Sequence, residues 1–381
     1  MIPVSDPILD GNERKYINEC LDSRWVSSGG PFVERFERTF GEALGMPPGV
    51  AVCNGTAAIE AALYGLGVGE GDEVIMPSFT IISCALAVLR LGARPVIVDI
   101  DPLTWCLNPG LLKEAISPRT KVIMPVHIYG HPVDMDPVIE IAQKCGISVL
   151  EDAAEVHGAE YFSANRGAWL KCGAIGHASS FSFYANKIVT TGEGGMVLSA
   201  DQTVIARARS YQNLCFRPEE RFVHTQLGYN FRMTNVQAAI GVAQVERMNE
   251  FVGFKRRIAS QYKRRFASIK GARLQPEAPW ARSVYWMNAV ELDERVGISA
   301  IDLIKALRAN GVEARPFFYG LHIQPALREK IRVPSPCPFT ERAYKLGFYL
   351  PSGLTLTEED VNRVCDKMET VLSEFGARSA L

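Results

Sequence analysis

The sequence predicts an α/β fold: a large domain on a mainly parallel sheet, followed by a smaller α+β domain. Three observations carry this. Between residues 50 and 151, short apolar runs alternate with amphipathic segments, the pattern of strands connected by helices and of a sheet covered on both faces. The chain has 381 residues, 47% of them hydrophobic, enough for one large unit plus a smaller one or for two of similar size. From about residue 250 the alternation gives way to mixed helix and strand patterns. The expected domains are 1–249 and 250–381, with the N-terminal segment able to pack on the smaller one.

The elements follow in order. Residues 11–45 read as two short helices around the turn Ser27-Ser28-Gly29-Gly30-Pro31, a loop in which two glycines free the backbone. Val50–Cys53 is a short strand. Asn54-Gly55-Thr56 opens a helix whose Ile59, Ala62, Leu63 and Leu66 share a face. Further strands are expected at Glu73–Met76, Pro95–Val98, Val122–Val126 and Ile147–Glu151, with helices at Ile81–Leu91, Leu111–Ile116 and Pro137–Lys144. The stretch GLGVGEG at 65–71 superficially resembles a dinucleotide fingerprint. It follows a helix rather than a strand, so it reads as a helix stop and turn. Met196–Leu198 is a strand, Val204–Gln212 a helix, and Met233–Arg265 a helical region of more than one helix. In the smaller domain Val284–Val290, Ala300–Ala309, Val312–Pro316 and Val361–Phe375 stand out. Thr357 and Asp360 form a capping-box pattern before the last helix.

Composition excludes several classes. The 41 Lys and Arg nearly balance the 42 Asp and Glu, a formal net charge of −1, so no global field draws nucleic acid or a membrane surface. The basic clusters Lys255–Arg257 and Lys263–Arg265 read as solvated helix faces. Nine cysteines include no C-x-x-C pair, which argues against zinc, and their apolar settings suit a reducing cytoplasm. The N-terminus has no charged-then-apolar leader pattern, and no apolar run is long enough for a membrane helix.

Three constellations could carry chemistry. Mostly apolar or small residues lead into Lys187, and Gly192, Gly194 and Gly195 follow it around Glu193. Lysine normally keeps its ammonium in water; in an apolar pocket it becomes a nucleophile and proton carrier. A surface lysine at a strand end is the plainer reading, and on this stretch alone the two stand level. Asn54-Gly55-Thr56-Ala57 opens a helix at a strand end, where free N–H groups and the dipole suit a phosphate; an ordinary N-cap by Asn54 or Thr56 is the alternative. Asp152 follows an apolar strand, at the carboxyl edge where α/β sheets bind ligands. Buried there, it needs a cationic partner, either in a structural ion pair or in the ring nitrogen of a cofactor. His157 reads as a packing histidine. Together, lysine, phosphate cradle and strand-end aspartate match what pyridoxal phosphate requires.

The chain resembles the DegT-type nucleotide-sugar aminotransferases over essentially its whole length. The resemblance runs from WVSSGGPFVERFE through CNGTAAIEAAL, GDEVIMPSFT, VHIYGHPVDMD, EDAAEVHGA, SFSFYANKIVTTGEGGM and GYNFRMTNVQAAIG to RPFFYGLHIQPAL. It implies the aspartate-aminotransferase fold, type I among pyridoxal phosphate enzymes. By resemblance Lys187 holds the cofactor covalently, Asp152 pairs with its pyridine nitrogen, and Glu155 stands near its 3-hydroxyl, where the family often has glutamine. Gly55, Thr56, Ala57 and Ser182 would hold the phosphate, and Asn230 would reach it from a second subunit, implying a homodimer with shared sites. Ser28, Arg232, Tyr319 and His322 are the substrate-side candidates. Ile81 departs from the family's frequent aromatic at the ring face; it can pack there but not stack. No metal is called for.

The resemblance further implies transamination, with glutamate as amino donor. Within the family GHPVDMD, NKIVTTGEGGM and GYNFRMTN are most similar to enzymes acting on a GDP-linked 4-keto-6-deoxy sugar. The alternatives are a UDP- or dTDP-linked keto sugar, another pyridoxal phosphate reaction such as elimination, and a cofactor-binding regulator without catalysis. The sister deoxygenation uses a histidine where Lys187 stands.

Overall fold

The structure is a computed structural model that describes the backbone of residues 1–379 and the side chains of 1–375. Its strands are β1 (Val50–Val52), β2 (Glu73–Pro77), β3 (Arg94–Val98), β4 (Thr120–Ile123), β5 (Ser148–Asp152), β6 (Glu160–Ser163), β7 (Ala168–Lys171), β8 (Ala178–Ser182), β9 (Gly195–Leu198), β10 (Ala272–Leu274), β11 (Ala281–Arg282), β12 (Asn288–Leu292), β13 (Arg315–Pro316) and β14 (Gly347–Leu350). The helices are α1 (Glu13–Ser23), α2 (Pro31–Ala43), α3 (Gly55–Gly65), α4 (Ser83–Arg90), α5 (Leu112–Ala115), α6 (Met135–Cys145), α7 (Gln202–Gln212), α8 (Asn235–Val245), α9 (Met248–Phe266), α10 (Ala300–Ala309), α11 (Pro338–Leu346) and α12 (Glu358–Ser379).

Seven strands form the main sheet in the order β1-β9-β8-β5-β4-β2-β3, and only β9 runs against its neighbours. β1, β2, β8 and β9 are buried along their whole length, as a sheet covered on both faces requires. The mainly parallel α/β fold read from the sequence is therefore the one observed. α3 buries more than the one expected face: Ala57, Ala58, Ile59, Glu60, Ala61, Ala62 and Leu63 are all inside. A helix apolar nearly all round is a central helix, and this one lies against β8, β9 and α7.

A second hydrophobic cluster gathers Ile258 and Tyr262 of α9, Leu303 and Leu307 of α10, Val290 of β12, Phe348 of β14 and Val361, Val364 and Met368 of α12. β10, β12, β14 and β13 make its antiparallel sheet. Ile2 belongs to this cluster, and its amide donates to the Gly311 carbonyl at 2.9 Å. The capping box before α12 is present: the Asp360 amide donates to Thr357 Oγ1, and Thr357 Oγ1 and its amide donate to Asp360 Oδ2.

Two departures matter. The sheet β11-β6-β7 was not anticipated; β6 and β7 are four-residue strands joined through Ala164 to Gly167, too short and polar for periodicity to reveal. Of the 284–290 segment singled out in the sequence, only Asn288 onward is strand. Residues 284–287 cross residues 129–130 instead: the Val284 amide donates to the Gly130 carbonyl, and the Met287 amide to that of Tyr129. Tyr285 takes φ 48° and Tyr129 φ 56° to make that crossing.

Candidate active site

The cavity at the carboxyl edge of the sheet has a volume of 670 Å³. It brings together eight of the residues singled out by the sequence: Gly55, Thr56, Ala57, Ile81, Asp152, Glu155, Ser182 and Lys187.

The cradle comes from the strand-to-helix turn before α3. Asn54 Oδ1 accepts the Ala57 amide at 2.9 Å, so Asn54 is indeed the N-cap. The helix itself supplies no acceptor for the Gly55 and Thr56 amides, which remain for an anion. A Cβ on Gly55 would stand 2.8 Å from Ser182 Cβ and 3.1 Å from its hydroxyl, so only glycine lets α3 come so close to β8. A Cβ on Gly195 would lie 2.4 Å from the Asn54 carbonyl oxygen, which fixes the far end of the lysine loop against the same turn.

Lys187 sits in that loop between β8 and β9. Its amide donates to Tyr184 O, and the hydroxyl of Thr190 closes the loop on Phe183 O at 3.0 Å. Phe183, Ile188 and Val189 are buried around it. The ammonium lies 3.7 Å from Glu155 Oε1 and 3.7 Å from the centre of the Trp286 ring. Burial pushes its pKa down, opposed by Glu155 and then Asp152.

Asp152 ends β5 and is buried. Its Oδ2 accepts the Cys84 thiol at 3.2 Å and its Oδ1 the Ala154 amide at 3.1 Å. Burial raises its pKa, with the Cys84 and Ala154 hydrogen bonds opposing. Glu155, one turn on, accepts the Tyr129 amide at 2.6 Å. Burial pushes it up to about 7, against the pull of Lys187 and of that amide.

His157, given no role from the sequence, packs among Phe40, Phe181 and Phe183, and burial pushes its pKa down to about 3. It is a neutral core histidine at physiological pH. The 65–71 stretch is the end of α3 and a turn in which Gly67 and Gly71 take positive φ.

The four substrate-side candidates and Asn230 lie elsewhere on the same chain. Ser28 and Arg232 line a separate cavity of 260 Å³ beside the Gly29-Gly30 turn. Asn230 is exposed and accepts Arg232 Nε at 2.8 Å. Tyr319 packs edge-on against Tyr344, ring centres 4.7 Å apart. The His322 imidazole is 2.6 Å from Ser78 Oγ, at the end of β2.

Sequence reasoning missed several cavity residues: Tyr184, Phe231, Trp286, Phe318 and Tyr349, together with Cys84 behind Asp152. No local pattern places any of them at a site.

The profile of the DegT/DnrJ/EryC1/StrS aminotransferase family matches residues 7–369. The chain belongs to that family. It is similar to the GDP-perosamine synthase of Caulobacter vibrioides, 41% identical across 97% of this chain and 98% of that protein. The GDP-perosamine synthase of Escherichia coli O157:H7 is 38% identical across 98% of this chain and 99% of that one. Among solved structures, the aminotransferase TlmJ from Streptoalloteichus hindustanus superposes with a TM-score of 0.90 at 30% identity, covering 98% of this chain and 99% of that one. The cofactor of this family member is pyridoxal phosphate. The cavity fits it on its own chemistry: an amine held among apolar walls, a buried carboxylate without a cation of its own in contact, and first-turn amides beside a glycine that no side chain could replace. Among the described residues no cluster of three or more His, Cys, Asp or Glu converges as a metal site, and no helix is long and apolar enough to cross a membrane.

Proposed function

We propose that this protein transfers the amino group of glutamate to the keto carbon of a GDP-linked 4-keto-6-deoxy sugar, making GDP-perosamine or a near relative. The observation that carries the reading is the convergence of Lys187, Asp152 and the Gly55–Thr56 turn on one cavity, in a chain 41% identical to a GDP-perosamine synthase over nearly its full length.

When bound, pyridoxal phosphate supplies an electron sink beside the carbon that loses its proton. The protein's part is binding, aiming and moving that proton. Gly55, Thr56, Ala57 and Ser182 receive the phosphate, with the Ala57 amide already committed to Asn54. Asp152, fixed by Cys84 and Ala154, would hold the pyridine nitrogen as a carboxylate and keep it protonated. Glu155 would serve the 3-hydroxyl, and Ile81 would pack on the ring. Lys187 holds the cofactor at rest; once freed, its Nζ takes the proton from the α-carbon of glutamate and later delivers one to the sugar carbon. The apolar walls around it exclude water.

The working unit in this reading is a cytoplasmic homodimer. Phe222 and Leu227 are 81% and 85% exposed, in the segment that leads to Asn230. Large apolar side chains so exposed suit cover by a second copy, which would bring Asn230 to its partner's phosphate and Ser28, Arg232, Tyr319 and His322 toward the sugar.

The test is a screen of GDP-, UDP- and dTDP-linked 4-keto-6-deoxy sugars with glutamate, reading product mass and 2-oxoglutarate. Amination of the GDP sugar at far higher kcat/KM is expected. Preference for UDP or dTDP sugars would reassign the substrate, and no 2-oxoglutarate with any sugar would overturn glutamate-dependent transamination. Shared sites are tested by mixing Lys187→Ala with Asn230→Ala: hybrid dimers should recover part of the lost activity, and no recovery would place each site within one subunit.

A further inference from the structure

Besides Glu155, the Lys187 ammonium meets the Trp286 ring, whose centre lies 3.7 Å from Nζ. Trp286 is held from several directions. Its indole Nε1 donates to the Asn186 carbonyl, next to Lys187 in sequence, at 2.7 Å. Its own carbonyl accepts from Lys255 Nζ at 3.0 Å. Its backbone lies so near Gly130 that a Cβ there would stand 2.5 Å from the Trp286 nitrogen. The two segments that cross at this point each carry a left-handed non-glycine residue, Tyr129 and Tyr285. Strain of that kind persists only where the surroundings over-determine it.

Lys255, expected from the sequence on a solvated helix face, is instead buried. It is 1% exposed, and its ammonium meets the carbonyls of Trp286 and Ser352, with no carboxylate in contact among the described residues. Burial pushes its pKa down to about 7. Ser352 is tied in turn to the N-terminal segment, through its amide to the Val4 carbonyl, and to β12, through Asn288. A buried unpaired ammonium is costly, and the atoms it holds are those that fix the ring over Lys187.

We propose that Trp286 is an active-site residue that holds and orients the free amine of Lys187 on its π face, and that Lys255 is a positioning residue that fixes Trp286 there. This rests on Lys187 being the reacting amine. During turnover the amine must leave its covalent bond, wait and return a proton to a defined carbon. The indole face favours the ammonium while making no hydrogen bond that must be broken. Glu155, with Oε1 3.7 Å from the same ammonium, supplies the charge. The amine is thus held by a face and a carboxylate at the cavity wall.

The test uses the full-length chain stripped of cofactor and the reconstituted enzyme. In the stripped chain the rate of reductive methylation at Lys187 is followed against pH by peptide mass. Trp286→Leu should lower its midpoint by about half a pH unit or more, because the face that favours the ammonium is gone. Trp286→Phe, which keeps a weaker face, should move it less. Lys255→Met, which touches neither Lys187 nor the cavity, should move it in the same direction. In the reconstituted enzyme, kcat should fall roughly fivefold or more in Trp286→Leu, with the KM for glutamate within about twofold of wild type. An unmoved midpoint in Trp286→Leu, or equal shifts in the Phe and Leu variants, overturns the role of the ring. An unmoved midpoint in Lys255→Met overturns the positioning role. Should Trp286→Leu fail to fold, the Phe variant and Lys255→Met decide alone: wild-type midpoints and kcat in both overturn the proposal. Lys187→Ala that still turns over would sink the assignment of the lysine itself, a result the Trp286 variants cannot mimic.

Discussion

The Gly55→Ala substitution puts the cradle under a test whose size follows from the geometry. The new Cβ would meet Ser182 Cβ at 2.8 Å and Oγ at 3.1 Å, where ordinary contact begins near 3.4 Å. Ser182 Cβ is attached directly to buried β8 and cannot swing away as the tip of a long side chain would. α3 must therefore move off the sheet by several tenths of an ångström, or β8 must bend. Inserting one methyl group into a packed contact costs about 1–3 kcal/mol. That strain exists whether or not cofactor is bound, so the urea midpoint of the stripped chain should fall. Displacing the Gly55 and Thr56 amides from Ser182 Oγ should also weaken cofactor binding, by about tenfold if 1.4 kcal/mol of the contact energy is lost. Cofactor titration by visible absorbance measures the second effect. Ser182→Gly in the Gly55→Ala background removes both crowding atoms and should restore most of the stability but not the affinity. Wild-type stability and affinity in Gly55→Ala would refute the reading of this turn as the cradle.

Lys187→Ala should abolish turnover and the visible absorbance of the bound cofactor; retention of either would refute the covalent role. Asp152→Asn should keep cofactor in the site and lose at least about a hundredfold in kcat, since a neutral amide no longer holds the pyridine nitrogen protonated; an unchanged kcat would show the nitrogen faces elsewhere. Glu155 sits at about 7 against an ordinary 4.5, so the stability its protonated form contributes is full below about 4.5 and lost as pH rises through about 7. Glu155→Gln should flatten that loss in the stripped chain, measured as urea midpoints at about pH 5 and about pH 8, and an unchanged pH dependence would show that Glu155 does not titrate there.

What was legible in the sequence was what rests on short-range pattern. The strand–helix alternation gave β1 to β5 and their helices to within a few residues, because period and length are local properties. Lys187, Asp152 and Gly55 were visible because each breaks a local rule: a lysine in an apolar run, a carboxylate ending an apolar strand, a glycine opening a helix. The residues that escaped are those whose meaning depends on contacts far along the chain. Trp286 reaches Lys187 across 99 positions of sequence, through a crossing with Tyr129 that no propensity encodes. Cys84 supports Asp152 from α4 and looks like any core cysteine.

The electrostatics of the cavity give a reason for the whole set. The buried carboxylates that act on the Lys187 ammonium are two, Glu155 and Asp152. One carboxylate can be balanced by the lysine; two cannot, and burial leaves Glu155 holding its proton up to about 7. A cationic ring nitrogen against Asp152 would supply the missing positive charge and let Glu155 ionise. A glutamine at 155 would carry no such excess and would leave Lys187 facing an uncharged amide. With glutamate there, the affinity for the cofactor is tied to pH through a group that does not bond to it covalently. Cofactor affinity should therefore rise from about pH 6 to about pH 8 in this chain, as Glu155 gives up its proton to a site that now balances it. Glu155→Gln should flatten that rise. Equal slopes in the two proteins would mean that the excess charge is relieved somewhere other than at Glu155.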